Sequence, residues 1–355
     1  MTLTNIFPYL VAILLAFGLL LGLAPIAQKI ELVDYPNSRK LHNTTTPLIG
    51  GIAISLSLFL SLLLFDLPFG SFRILFFCLG LIMIVGVLDD RNDLPAYTKF
   101  VVQFLIASVM ILGNNMVVTN IGDIWANDDP QGLGPLSIPF TLIGVVGVIN
   151  AFNLIDGHDG VAASLGIISI LSLLIIAHTS IEVVPPEYIV FLTLLPLLLC
   201  VFLVFNLELL NTLPKVFLGD AGSMLLGLVL VYFLIEFTRG LNSGHAIFSP
   251  AVAPWIIGLP LLDMFCVVLR RLLSGETPLA ADRQHIHHLL FNSGLHKISI
   301  LLILIIFQVI LSAVGISSVL FDWPDWPLIW GALVVFILYY ILTSKLQKNY
   351  THIGD

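Results

Sequence analysis

Charge is what this sequence has least of. Asp, Glu, Lys and Arg make up 10% of its 355 residues, against 58% hydrophobic ones, and mean hydropathy is +1.06. A soluble globular domain carries about 25% charged residues, so a water-soluble fold is excluded and the chain reads as an integral membrane protein. Cysteine is as scarce. Cys78, Cys200 and Cys266 all fall inside apolar runs, and an odd number at lipid depth makes no disulfide framework. No basic segment precedes the first apolar run, Phe7 to Ala27, and its roughly 20 residues are too many for the core of a cleaved signal peptide. That run is taken as a spanning helix. No repeat or low-complexity tract interrupts the chain, and its longest polar segment, Arg270 to Lys297, is too short to fold a core of its own.

What is there is a succession of apolar runs long enough to cross about 30 Å of hydrocarbon. They predict an all-α integral membrane protein of about eleven transmembrane helices, near residues 6–27, 48–65, 72–88, 99–117, 136–150, 160–178, 187–205, 222–237, 251–272, 298–320 and 326–345. Residues 1–355 read as a single polytopic membrane domain, with loops near 28–47, 89–99, 150–160, 206–223 and 270–297. Of the 14 Lys and Arg residues, only Arg73 and Arg239 fall on the opposite side from those loops. The positive-inside rule then puts the N-terminus outside, the C-terminus in the cytoplasm and the five loops on the cytoplasmic face. The outer loops are acidic, with Asp123, Asp128, Asp129, Glu182, Glu187, Asp322 and Asp325, and Trp323 and Trp326 suit an aromatic belt. The formal charge of −8 is therefore unevenly spread, and no nucleic-acid partner is expected.

Every chemically loaded segment falls on the inner face. The stretch Asn150-Ala151-Phe152-Asn153-Leu154-Ile155-Asp156-Gly157-His158-Asp159-Gly160 puts two asparagines and two aspartates between two apolar runs. Asp159 could cap the following helix, but capping accounts for neither Asp156 nor the paired asparagines. The third helix ends in Asp89-Asp90, where carboxylates oppose the helix dipole. Arg91 offsets part of that; a cation- or phosphate-handling site is the sharper reading. Adjacent helical residues point about 100° apart, so the two aspartates have different jobs. In Lys215 to Ser223, glycines flank Asp220 at a helix start, where backbone N–H groups favour an anion and a carboxylate can hold a hard cation. In Asp282-Arg283-Gln284-His285-Ile286-His287-His288, a helix would place His285 and His288 on one face. With no cysteine on this side and no His-Glu-x-x-His, Mg²⁺ with phosphates suits the set better than zinc. Asp263 and Glu236 lie within or near apolar runs, and Asp263 is close enough to Arg270 to be its buried partner.

Carboxylates for a hard cation, Lys99, Arg283 and clustered histidines at one membrane surface describe phosphoryl transfer, in which the protein positions groups and neutralises charge. The segment from Lys29 to Lys40 would attract anionic lipid at that surface. These motifs, together with Arg39-Lys40-Leu41-His42, Pro47 and Gly50-Gly51, resemble the polyprenyl-phosphate N-acetylhexosamine-1-phosphate transferase family. The resemblance runs from about Asp34 to His288, and the His-x-His-His form is similar to the N-acetylglucosamine branch. It implies transfer of a sugar-1-phosphate from a UDP-sugar to undecaprenyl phosphate, with release of UMP, in a bacterial cytoplasmic membrane. It also implies Mg²⁺, with Mn²⁺ as the alternative, held at Asp220 and Asn153. Asp89 and Asp90 would lie beside the reacting phosphates, and Asp156 and Asp159 match positions for nucleotide binding or catalysis. The substrate-binding set expected with them is Arg39, Lys40, Lys99, Asn150, Arg283, His285, His287 and His288. His158 departs from the family, which usually has an aliphatic residue there; it would alter the nucleotide pocket or face solvent. A homodimer is left open.

Overall fold

A helix that is apolar all round has to be covered on every side. Gly219–Arg239 meets that condition: each residue from Ala221 to Phe237 is buried. The structure, a computed structural model, describes residues 6–35, 45–65, 68–241, 245–277 and 284–351. In chain order its helices are α1 (Phe7–Lys29), α2 (Gly50–Leu62), α3 (Arg73–Asn92), α4 (Ala96–Asn114), α5 (Ser137–Ile155), α6 (Val161–Thr179), α7 (Pro186–Asn206), α8 (Gly219–Arg239), α9 (Ala253–Ile256), α10 (Gly258–Leu273), α11 (Ile286–Asn292), α12 (Lys297–Leu320) and α13 (Asp325–Thr351). Two short strands, β1 (Val33–Asp34) and β2 (Thr46–Pro47), pair antiparallel with Val33 opposite Pro47. The fold is all-α apart from this ladder and two isolated bridges among the described residues. One contiguous apolar core links the helices around α8.

Each of the eleven apolar runs is helical, yet the crossings number fewer. Among the described residues, nine helices are long and apolar enough to span a bilayer, and ten do if the bent pair α9–α10 is one span. α2 falls short at 13 residues. The ninth run, expected as one helix, breaks at Ile257 with a bend of 87°. Pro260 has no N–H for the carbonyl of Ile256. That carbonyl instead accepts from Ser169 Oγ and from Gln308 Nε2, both at 2.8 Å. Gln308 Oε1 in turn takes the N–H of Leu259 at 3.0 Å. A broken helix at membrane depth survives only when its freed backbone groups find such partners.

Two local features bring the inner ends of the helices together. The chain leading into α2 runs beside the chain leading into α8: Phe217 N donates to Pro47 O at 2.9 Å, Gly50 N to Phe217 O at 2.9 Å and Gly51 N to Leu218 O at 2.8 Å. A Cβ on Gly51 would lie 2.3 Å from Gly222 N, so the two helix starts meet backbone to backbone. At the opposite end, Glu236 is a structural acid. It accepts from Arg239 Nε at 2.9 Å and from Tyr188 Oη at 3.0 Å, which accounts for its burial.

Candidate active site

The C-terminus of α3 points at the N-terminus of α8, and this decides what the paired aspartates do. Asp90 Oδ1 accepts from Asp220 N at 2.8 Å and Oδ2 from Ala221 N at 3.4 Å. A carboxylate that opposes its own helix dipole thus sits on the positive end of another. Gly219 makes the approach feasible: its φ is +74°, and a Cβ there would lie 2.5 Å from Asp90 Oδ2. Asp89 faces elsewhere. Lys99 Nζ donates to Asp89 Oδ2 at 2.7 Å and to Asp220 Oδ2 at 3.3 Å, while Asp89 Oδ1 takes the N–H of Leu94 at 2.8 Å. One ammonium therefore ties α3, α4 and α8 at a single point, and the two adjacent aspartates face different partners.

The α5–α6 connection supplies the facing wall. Asp156 lies at the end of α5. Burial, followed by the charges of Asp220, Asp90 and Asp159, pushes its carboxyl well above the usual carboxylate range. Asp159 is not a cap: Gly160 occupies the N-cap of α6, and Asp159 Oδ2 accepts from Lys215 Nζ at 2.8 Å. Lys215 also meets Glu208 at 3.2 Å. Burial alone would lower the lysine, but Asp159 and Glu208 outweigh it and raise it. Asn153 donates to Ser223 Oγ at 3.0 Å, one turn into α8 beyond Asp220. Asn150 does not reach the same place. Its NH₂ donates to Gln103 Oε1 at 2.6 Å and to Val146 O at 2.7 Å, within the packing of α5 against α4, and Asn150 is not part of the cavity wall.

His158 does not face solvent. It is buried, its Nδ1–H donates to the carbonyl of Asp159 at 3.1 Å, and its Nε2 has no partner. Burial first, then Lys297 and Lys215, hold it below the usual histidine range and outweigh the opposing pull of Asp159. The other histidines also depart from expectation. His285 precedes α11 in extended conformation, so it does not share a helical face with His288. The three rings form a column instead: His285 and His287 are parallel within 5° at 6.0 Å, and His287 lies 4.2 Å from His288. His287 packs against Gly157 with both ring nitrogens unpartnered. Burial, followed by His288, His285 and His158, holds it well below the usual histidine range. Asp263, which lies close enough to Arg270 in sequence to pair with it, pairs with His285 Nδ1 at 2.8 Å, and Arg270 Nη2 goes to the carbonyl of Gln284 at 2.8 Å.

These groups surround one cavity of about 940 Å³. Five of the expected aspartates, Asp89, Asp90, Asp156, Asp159 and Asp220, line it together with His288. Lys99, Asn153, His285 and His287 stand directly behind them. Arg39, Lys40 and Arg283 lie outside the described residues. The sequence reading left out Phe217, Lys297 and Lys215, although the first and last belong to the segment around Asp220 that it singled out. Among the described residues no three acidic, histidine or cysteine side chains close into a metal cage. Mg²⁺ asks for less: one or two carboxylates, with water and substrate phosphates completing the octahedron.

Residues 72–238 match the glycosyl transferase family 4 profile. The chain is 32% identical over 317 residues to an undecaprenyl-phosphate alpha-N-acetylglucosaminyl 1-phosphate transferase of Yersinia pestis, covering 88% of this chain and 84% of the relative. It is 32% identical over 319 residues to the protein of the same name in Escherichia coli K12, with the same coverage. The protein of that name in Pasteurella multocida is 33% identical over 344 residues, 93% of this chain and 91% of its own length. The chain belongs to glycosyl transferase family 4. The family 4 match spans α3 to α8 and so takes in Asp89, Asp90, Asp156, Asp159 and Asp220, but it leaves out Asp34 of the cavity wall and stops short of the histidine column.

Proposed function

We propose that this family 4 chain transfers N-acetylglucosamine-1-phosphate from UDP-N-acetylglucosamine to undecaprenyl phosphate, forming the lipid pyrophosphoryl sugar and releasing UMP. The observation that carries the reading is the convergence of five aspartates from three separate segments on one cavity at the ends of spanning helices. A lipid head group can reach such a place from the leaflet and a nucleotide from the aqueous side. The names of the relatives supply the substrates. The Lys and Arg distribution supports a cytoplasmic setting for this end, and the bacterial relatives support a bacterial inner membrane.

The donor set suits a hard divalent cation. Asp156 lies among the like charges of Asp220, Asp90 and Asp159, and a cation relieves that crowding. We assign the cation to Asp220 with Asn153 beside it; when bound it neutralises charge on the phosphates. The chain's own groups do the rest. Asp90 seats the start of α8 and so fixes Asp220, and Lys99 bridges Asp89 to Asp220. The lipid phosphate has a second pKa near 6, so it is largely deprotonated at neutral pH and attacks the β-phosphorus in line. Asp89 then orients more than it abstracts.

The test uses membranes containing the protein, given radiolabelled UDP-N-acetylglucosamine and Mg²⁺. Label should enter an organic-extractable pyrophosphate lipid and be lost when Asp220→Ala replaces the native chain. Label that stays with the aqueous nucleotide sugar rejects the reading. Another UDP-N-acetylhexosamine or UDP-muramoyl-pentapeptide as donor is separated by competition against the labelled compound. Secondary transport is disfavoured, because the cavity acids gather at one edge of the helices and not at their centres.

A further inference from the structure

We infer that Asp263, together with the hydroxyl of Tyr339, is a positioning group for the histidine column, setting the ring plane and tautomer of His285 and thereby the presentation of His287 and His288 to the donor. The inference rests on the reading of the cavity as the transfer site. Asp263 is 1% exposed in α10, where an ionised carboxylate is costly unless every lone pair is met. Three donors meet it. His285 Nδ1 lies 2.8 Å from Oδ2, Ile286 N lies 2.9 Å from Oδ1 and Tyr339 Oη lies 3.0 Å from Oδ1. The N–H of Ile286 is the first of α11, and His285 gives that helix no side-chain cap. Asp263 therefore fixes the start of α11 from a different helix.

With Nδ1–H committed to a carboxylate, a neutral His285 ring keeps its lone pair on Nε2. Orientation then passes along the column. His287 lies parallel to His285, has no hydrogen-bond partner at either nitrogen and is held by packing against Gly157. His288, at van der Waals distance from His287, reaches the cavity wall. What turns His285 turns the column. Carboxylate partners behind metal-bound histidines, when altered, change activity by about 10–100-fold, and an effect of the same size is expected of a carboxylate that orients this column. Tyr339 brings in α13, a helix outside the family 4 match and without any polar motif in its apolar run.

The informative variant is Asp263→Asn. Its remaining oxygen still accepts from Ile286 and Tyr339, while the new NH₂ faces Nδ1 and demands the opposite tautomer. In purified wild-type and variant protein, Asp263→Asn should lower kcat/KM for the UDP-sugar about 10–100-fold. The KM for the lipid phosphate should stay within about twofold and Tm should be nearly unchanged. Tyr339→Phe should act in the same direction, more weakly. On a His285→Ala background, Asp263→Asn should add less than about a twofold loss. A full, additive loss on that background, or an equal rise in both KM values, overturns the proposal. ¹⁵N-histidine spectra give a reading independent of turnover. The protonated-nitrogen signal that disappears in His285→Ala should move from Nδ1 to Nε2 in Asp263→Asn, and an unmoved signal rejects the role even if turnover is lost. Should Asp263→Asn fail to fold, the Tyr339→Phe kinetics and its His285→Ala cycle decide the matter alone. Wild-type protein inactive on every UDP-sugar, with the tautomer shift intact, would instead reject the transferase reading.

Discussion

Asp156 sits where a carboxylate is hard to keep ionised, half-buried and facing three others. Its raised pKa means that the folded chain holds the proton more tightly than the unfolded one. Stability contributed by this group is thus present at low pH and lost as pH rises above the unfolded value of about 3.9. At neutral pH with chelator, Asp156→Asn, which removes the charge, should melt about 1–3 °C higher than wild type, while turnover with Mg²⁺ falls at least about 100-fold. Differential scanning fluorimetry checks the first part; a lower Tm for the variant would mean that the anion is stabilised in place. His158 has the opposite sign. Its pKa is lowered, so its contribution is whole above about 6.5 and lost as pH falls, because the unfolded chain takes up the proton first. His158→Leu removes a buried nitrogen that has no partner. Thermal stability should be level or higher by up to about 1 kcal/mol, with less loss between pH 6.5 and 5.5 and with turnover within about threefold. A hundredfold drop in turnover would place this ring in contact with substrate.

The break between α9 and α10 shows what an element needs when its own backbone ladder stops. Gln308 returns one hydrogen bond to each side of the break, and Ser169 supports the same carbonyl. Gln308→Leu leaves the N–H of Leu259 without a partner in the apolar interior, at a cost of about 1–3 kcal/mol. Because α10 carries Asp263, the loss should appear in unfolding and in donor KM together, with acceptor KM unmoved; equilibrium unfolding in mixed micelles measures it. Pro254, Gly258 and Pro260 were the visible signal for this break, but the run's hydropathy alone does not separate one long helix from two. The same limit applies to α2, whose apolar run is 13 helical residues followed by a turn. Helix positions were legible because lipid exposure demands long apolar runs. Which aspartates share a cavity was legible from their common side, whereas their partners were not. Asp90 on α8 and Lys215 on Asp159 are contacts across 130 and 56 residues, which no local pattern encodes. The partner of Asn150 was hidden for the same reason: Gln103 lies on another helix and had no motif of its own.

Across the whole molecule the site poses an electrostatic problem. Among the described residues, eight acidic and two basic side chains line the cavity, and Lys99 and Lys215 behind them are already engaged with aspartates. A donor carrying a diphosphate and an acceptor carrying a phosphate cannot both enter such a surface unaided, since like charges at short range in a poorly solvated site repel strongly. Chelation should therefore abolish turnover and raise the donor KM before it affects the fold, and added monovalent salt should not substitute for Mg²⁺. Turnover that survives exhaustive chelation would remove the cation from the scheme. The acidity also bears on orientation. A cavity of this charge is served best on the side where anionic lipid draws in the flanking lysines and arginines and where the nucleotide donor is made. That assignment has a direct check with cysteine probes in a chain whose three native cysteines are replaced. Asp128→Cys, in the exposed loop between α4 and α5, should react with a membrane-impermeant maleimide on intact cells. Glu208→Cys, between α7 and α8 and 58% exposed in its side chain, should react only after the membrane is opened. The reverse pattern would put the acidic cavity outside, away from both the donor and the basic loops that the positive-inside rule holds in the cytoplasm.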